Sequence, residues 1–404
     1  MSETISLEQF RADARAFLDA SAQPRAERAF EWGQGSDRIS LFPESDPEAD
    51  LRELAAARAW ANQVFDAGFG WITGPVELGG RGLSRDHQWA FFALLGGYDT
   101  PPTNVFGVGL GMVAPTIEAH ARPEVQRATL APLHRGDLVA CQLFSEPGAG
   151  SDLASVQTRA VRDGDEWVVS GQKVWTSFAH LSDIGEILCR TNPEAPKHQG
   201  LTAFLVDMHA PGVEVRPLRQ MTGGASFNEV FFTEVRVPDT HRLGEVDGGW
   251  GVALTTLMNE RAAIGGSGGA GTGGPDRLLE LVRHQGKADD PLVRQQVAQL
   301  VAHSKVASWT TQRAMAQVAR GGVPGPELSI AKLALTRNLQ LTCDLAASVL
   351  GPALVADGGG WGTYAWSELV LGLPGVRVAG GTDEVQRNIV GERVLGLPKE
   401  PRPV

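Results

Sequence analysis

Residues 166–177 read EWVVSGQKVWTS. Val, Trp and Thr dominate, and Ser170 and Gly171 sit at the centre. Side chains that are β-branched or aromatic fit a pleated surface, so the stretch predicts a hairpin turning at Ser-Gly. The runs that follow behave alike. LTAFLVDM (201–208), GVEVRPL (212–218) and NEVFFTEVRVP (228–238) read as short strands bounded by Gly, Pro and Asp. Such spacing over about 100 residues suggests a small β-barrel or sandwich.

On either side the period is helical. EADLRELAAARAWANQVFDAG (48–68) places apolar residues at three- and four-residue steps and stops at Gly68. PVELGGRGLS (75–84) is a loop, and Ser84 is placed to cap the helix of SRDHQWAFFALLGGY. After Pro238 the helical period returns in four runs: 250–264, 291–319, 326–350 and 382–395. The expected fold is an α+β multidomain chain. An N-terminal α-helical domain (1–137) precedes a middle β domain (138–238) and a C-terminal four-helix bundle (239–404).

The chain has 404 residues, 42% of them hydrophobic, enough for more than one core. Its net charge of −11 argues against nucleic acid or an anionic membrane as the main partner. Three distant cysteines and nine scattered histidines show no metal-ligand spacing, so no metal is expected. They fit a reduced, cytoplasmic compartment. The first residues carry early acids and no long apolar run, and no stretch approaches a membrane span. Gly266, Gly268 and Gly271 spell GxGxxG, but they follow a helical pattern instead of a strand. A helix end and a loop are therefore expected there, not a dinucleotide fingerprint.

Two stretches carry chemistry. In CQLFSEPGAGSD (141–152) a strand runs into Pro and small residues. Gly148 and Gly150 allow close backbone approach to a flat ligand or a pyrophosphate, and a tight turn explains the letters equally. In LMNERAAIGG (257–266), Glu260 falls on the apolar face shared by Ala253, Leu257 and Ile264. A carboxylate there is paired, protonated or at work.

SEPGAGSD, GQKVWTS and GGTDEVQRN, together with PVELGGRGLS and MTGGASFNEVFFTEVRVPD, resemble the acyl-CoA dehydrogenase family in order along nearly the whole chain. The resemblance implies an FAD enzyme oxidising an acyl-CoA thioester to the trans-2-enoyl-CoA, with an electron-transfer flavoprotein as acceptor. It implies that Gln142, Phe144, Ser145, Gly150 and Ser151 line the flavin. Trp175 would pack against the ring, with Ser177 beside it. Thr382, Glu384, Gln386 and, with a shifted alignment, Arg283 would contact the rest of FAD. Ser151, Leu257 and Arg261 would face substrate. Many relatives place the catalytic Glu where this chain has Gly380. Glycine cannot take a proton, though its N–H can donate to the thioester oxygen. Branched- and long-chain relatives carry the base on a C-terminal-domain helix as Glu followed by Arg, which is Glu260 here. Arg283 and Pro352 depart from the family pattern of inter-subunit contacts. A homotetramer, a dimer or a heterotetramer with one complete site type all remain open. So do an oxidase, monooxygenase or desulfinase of the same superfamily and a non-catalytic partner subunit.

Overall fold

The structure, a computed structural model, describes residues 5–25, 31–39, 41, 47–266, 274–319, 325–326 and 328–399. The first helices are α1 (Leu7–Ser21), α2 (Pro47–Asp66), α3 (Arg85–Leu95), α4 (Ala114–His120) and α5 (Pro123–Arg135). A short antiparallel pair, β1 (Gln23–Pro24) and β2 (Tyr98–Asp99), lies among them. In α1 the four-residue spacing of Phe10, Ala14 and Leu18 makes one fully buried stripe. That stripe meets Phe69 and Phe91, whose rings stack at 5.0 Å. Helix α2 ends where Gly68 takes φ 84°, as its sequence predicts. Ser84 does occupy the N-cap of α3, but its hydroxyl meets the His87 ring (2.8 Å) and caps no amide.

The main sheet starts at β3 (Ala140–Leu143) and continues with β4 (Arg159–Asp163), β5 (Glu166–Ser177), β6 (Ile184–Arg190) and β7 (Leu201–Asp207). Strands β8 (Val213–Leu218), β9 (Phe227–Pro238) and β10 (Arg242–Leu243) complete it. The order is β10–β7–β6–β4–β5–β9–β8, with β3 pairing parallel to β6. The expected hairpin at Ser170-Gly171 is not there. Residues 166–177 form one strand, and the tight turn lies between β4 and β5, at Gly164 (φ 64°). Ser170-Gly171 is instead a register shift against β9. Gly171 is required by close approach, because a Cβ there would lie 2.5 Å from Thr158 Oγ1.

Helices α6 (Gly249–Gly266), α7 (Gly274–His284), α8 (Pro291–Ala319), α9 (Leu328–Leu350), α10 (Trp366–Val378) and α11 (Asp383–Ile389) follow. Two of them, α7 and α10, were not among the four expected runs. Each is short, and α10 carries an internal Pro374 that masks its period. The glycine run's loop, at 267–273, lies outside the described residues. Contacts divide the chain into two units, one of 1–27, 45–219 and 225–259, the other of 28–44, 220–224 and 260–404. In the second, α9 is the central helix, burying Leu339, Leu345, Ala346 and Val349 with Trp366 and Leu369 of α10. Among the described residues, no helix is long and apolar enough to cross a membrane and no His/Cys/Asp/Glu group is arranged to hold a metal.

Candidate active site

The loop after β3 is built on a buried ion pair. Lys173, on β5, has no exposed surface. Its ammonium donates to the carbonyls of Phe144 (3.0 Å) and Leu188 (2.7 Å) and to Glu146 Oε1 (2.8 Å). Glu146 also accepts the amides of Gln157 (2.6 Å) and Thr158 (2.9 Å). Every ammonium hydrogen and both carboxylate oxygens are engaged, so the pair is ionised. Burial alone pushes Glu146 up, but Lys173 and the two amides hold it below the usual carboxylate range. Glu146 and Ala149 exchange backbone hydrogen bonds of 2.9 and 3.0 Å, which closes Pro147-Gly148 into a turn. Gly150 and Ser151 follow, exposed, and a Cβ on Gly148 or Gly150 would meet nothing within 4 Å. The crest of the loop is open to a ligand.

Strand β5 ties itself to this loop through Val174 N, which donates to Ser145 O (2.9 Å). Between Lys173 and Thr176 its register against β9 slips again. Trp175 sits on that bulge at φ 61°, a conformation few residues with a side chain adopt. The bulge turns the indole outward, and it is 58% exposed, with the edge of Phe227 beside it (6.0 Å). A large flat aromatic is thus held in a strained backbone and left accessible. Ser177 is half-buried at the end of the same strand. Gln142 is half-buried on β3, whereas the Phe144 side chain belongs to the core, so only its main chain is left to line a ligand.

Helix α6 presents Ala253 (fully buried), Leu257 and Glu260 (both half-buried). Glu260 is thus less enclosed than its apolar neighbours in sequence predict. Arg261 is on the same helix, but its side chain lies outside the described residues. One turn before Glu260, Thr256 is fully buried and hydrogen-bonded to Glu186 Oε1 of β6 (2.6 Å). Burial pushes the Glu186 carboxyl up to about 8.

In the second unit, Gly380 (φ 67°) and Gly381 (φ 86°) form a left-handed turn before α11. Gln386 is buried, and its amide donates to Gly380 O (2.7 Å) and Gly381 O (3.4 Å). Its amide hydrogens thus hold the turn, while its Oε1 has no hydrogen-bond partner. A Cβ on Gly381 would stand 2.7 Å from that amide nitrogen. Thr382 caps α11 by accepting from Val385 N. Asp383 is anchored below by Lys332 (2.9 Å), Thr336 (3.0 Å) and Arg377 (3.0 Å). Glu384 is exposed and pairs with Arg387, and Arg283, exposed on α7, pairs with Glu280. A groove of about 530 Å³ reaches Thr382 and Glu384 between α9 and α10.

The structure therefore gathers the expected residues into two sets. Gln142, Ser145, Gly150, Ser151, Trp175 and Ser177 surround one loop and bulge, and Gly380, Thr382, Glu384 and Gln386 share one turn. Sequence reasoning missed Glu146, Lys173 and Glu186. The signal for the first two was a charge inside each strand-like run. A charge at 186, in an otherwise apolar run, was the signal for the third.

The fold is of the class that sets a β-sheet between an N-terminal and a C-terminal helical segment. Family models named acyl-CoA dehydrogenase N-terminal, middle and C-terminal domain match residues 4–137, 141–235 and 247–395. The chain is 37% identical, over 98% of both chains, to the acyl-CoA dehydrogenase IpdE1 of Mycobacterium tuberculosis. Among solved structures it is similar to the Tcur3481-Tcur3483 steroid ACAD, with TM-score 0.75, 26% identity and 98% of both chains covered. It is also similar to a chain of the ChsE4-ChsE5 complex from Mycobacterium tuberculosis, with TM-score 0.70, 27% identity, and 99% of this chain and 100% of that one covered. This chain belongs to the acyl-CoA dehydrogenase family and is an oxidoreductase acting on acyl-CoA.

Proposed function

We propose that the chain is an FAD-dependent dehydrogenase that converts a saturated acyl-CoA thioester to the trans-2-enoyl-CoA. The observation that carries this reading is Trp175, strained, exposed and set on a bulge beside the open 145–151 loop. These residues fit a flat ring with an anionic tail. Gln142, the main chain at Phe144, Ser145, Gly150, Ser151, Trp175 and Ser177 would hold the ring side. Thr382, Glu384 and Arg283 would hold the phosphate and adenosine side, with Gln386 shaping the turn. FAD, when bound, supplies the acceptor for the β hydride.

The proton chemistry falls to the chain. Position 380 has no side chain, so Glu260 takes the α proton, and the Gly380 N–H donates to the thioester carbonyl oxygen as enolate character develops. Ser151, Leu257 and Arg261 face the substrate. The three-segment division at 137/138 and 238/239 is part of this reading, supported by the element order, as are a cytoplasmic setting and an electron-transfer flavoprotein as acceptor. The names of the relatives support a bulky acyl group such as a steroid side chain.

A second reading concerns assembly. ChsE4-ChsE5 is a complex of two different chains, and this chain departs from the family at Arg283 and Pro352. It pairs with a second, related chain to complete its FAD sites. The test is anaerobic: purified protein, alone and co-expressed with a related chain, is mixed with short, branched, long and steroidal acyl-CoAs. Bleaching of the flavin band with one class supports dehydrogenation and identifies the substrate class. FAD-loaded protein that no acyl-CoA bleaches, alone or paired, overturns it.

A further inference from the structure

Glu186 plays no part in the reaction as assigned, yet it is the most enclosed acid of the sheet. It is fully buried on β6, directly across from Gln142 of β3 in the parallel register. Its Oε1 lies 2.6 Å from Thr256 Oγ1, and its Oε2 has no hydrogen-bond partner. Thr256 Oγ1 lies 3.0 Å from Thr116 Oγ1 of α4, and Thr116 donates to Met112 O at 2.9 Å. Three elements, β6, α6 and α4, thus share one buried polar chain.

Thr256 Oγ1 donates to Glu186 Oε1, with Val252 O in reach as a second acceptor at 3.3 Å. The Thr116 hydroxyl lies on the other side of Thr256 and donates to Met112 O. A buried carboxyl with this one donor and no partner on Oε2 is pushed toward its neutral form by burial.

We propose that Glu186 is a positioning residue: a buried acid that accepts the Thr256 hydroxyl and so sets the height and rotation of the α6 turn leading into Glu260. This rests on the reading of Glu260 as the base. Residues 256 and 260 are four apart on one helix, so they lie on the same stripe. A displacement of about 1 Å at a reacting group costs on the order of 100-fold in rate. His120 Nε2 contacts Thr255 Oγ1 (2.8 Å), which ties α6 to α4 but not to the sheet. Glu186 adds a hydrogen bond to β6 beside the apolar packing of Val252 and Ala253 in the core they share with Leu188.

The experiment compares full-length, FAD-loaded protein, with its partner chain if one is required, carrying Glu186→Gln, Glu186→Leu, Thr256→Ser or Thr256→Val. Anaerobic flavin reduction by an acyl-CoA and amide exchange across residues 252–260 are followed together. Gln keeps a carbonyl oxygen that accepts the Thr256 hydroxyl, so Glu186→Gln and Thr256→Ser keep the rate within about threefold of the parent. Glu186→Leu and Thr256→Val lose roughly 10- to 100-fold in kcat with KM changed less than about threefold, and their α6 amides exchange faster. Should Glu186→Leu not fold, the Ser/Val contrast at 256 and the Gln variant still decide. A parent-like rate in Thr256→Val, a Gln variant as slow as the Leu variant, or unchanged α6 exchange would overturn the proposal. Glu260→Gln is the control for the underlying reading. If it reduces flavin normally the base is misassigned, while the exchange data continue to judge Glu186 separately.

Discussion

Glu146 and Glu186 are two buried glutamates in the same unit, and their surroundings push their protonation in opposite directions. Glu146 faces an ammonium and two backbone amides, three hydrogen bonds in which it only accepts. Glu186 faces one hydroxyl, Thr256, and its Oε2 has no hydrogen-bond partner. Depth does not separate them, since both are more than nine-tenths buried. The supply of donors does, and supply is a property of the neighbours. One acid is therefore held as an anion that shapes the 145–151 loop, and the other is pushed toward its neutral form between sheet and helix.

The largest effect belongs to a third glutamate, half-buried and meant to change state. Glu260→Gln should leave FAD bound and lower flavin reduction by at least about 1000-fold, because an amide cannot accept the α proton. Stopped-flow reduction of the loaded variant checks it, and a near-normal rate would remove the base from α6.

Next comes the ion pair. Lys173→Met strands the Glu146 carboxylate and should cost about 3–5 kcal/mol, measured by urea unfolding, with FAD lost on gel filtration. The double variant Lys173→Met, Glu146→Gln should regain part of that loss. If the single change costs less than about 1 kcal/mol, the loop does not depend on the pair.

The two acids also predict opposite pH slopes. Glu186 is raised from its ordinary 4.5 to about 8, so the native state binds the extra proton between those values and stability falls as pH rises through that window. Each pH unit inside the window is worth up to about 1.4 kcal/mol. Glu186→Gln removes this slope, so the variant should match the parent near pH 4.5 and exceed it increasingly up to pH 8. Glu146 is depressed, so its contribution is complete above the ordinary carboxylate value and is lost as pH falls through its lower native one. Melting temperatures at pH 5, 7 and 9 for parent and Glu186→Gln test the sign, and parallel curves would refute the raised pKa of Glu186.

The smallest effect is expected at Trp175. Glycine there relieves the positive φ, worth about 1 kcal/mol, against the loss of one ring-edge contact. Stability should change by less than about 1 kcal/mol in Trp175→Gly while flavin per chain falls. A large loss of stability with flavin retained would make the indole a structural residue.

The order helix, sheet, helix was written in the sequence because side-chain periodicity is a local property, and the shift at residue 138 needs no knowledge of partners. The 145–151 loop was readable for the same reason, Pro and Gly being statements about their own backbone. What only the tertiary structure decided was everything that depends on a distant neighbour. Ser170-Gly171 reads as a turn until Thr158 and β9 show that it is a close approach and a bulge. That Gln386 is buried and holds the Gly380-Gly381 turn is likewise shown only by the fold. Glu146 finds its lysine 27 residues on, and Glu186 its threonine 70 residues on. A carboxyl group's proton depends on which donors stand within 3 Å of it, and those donors are assembled by folding, not by adjacency along the chain.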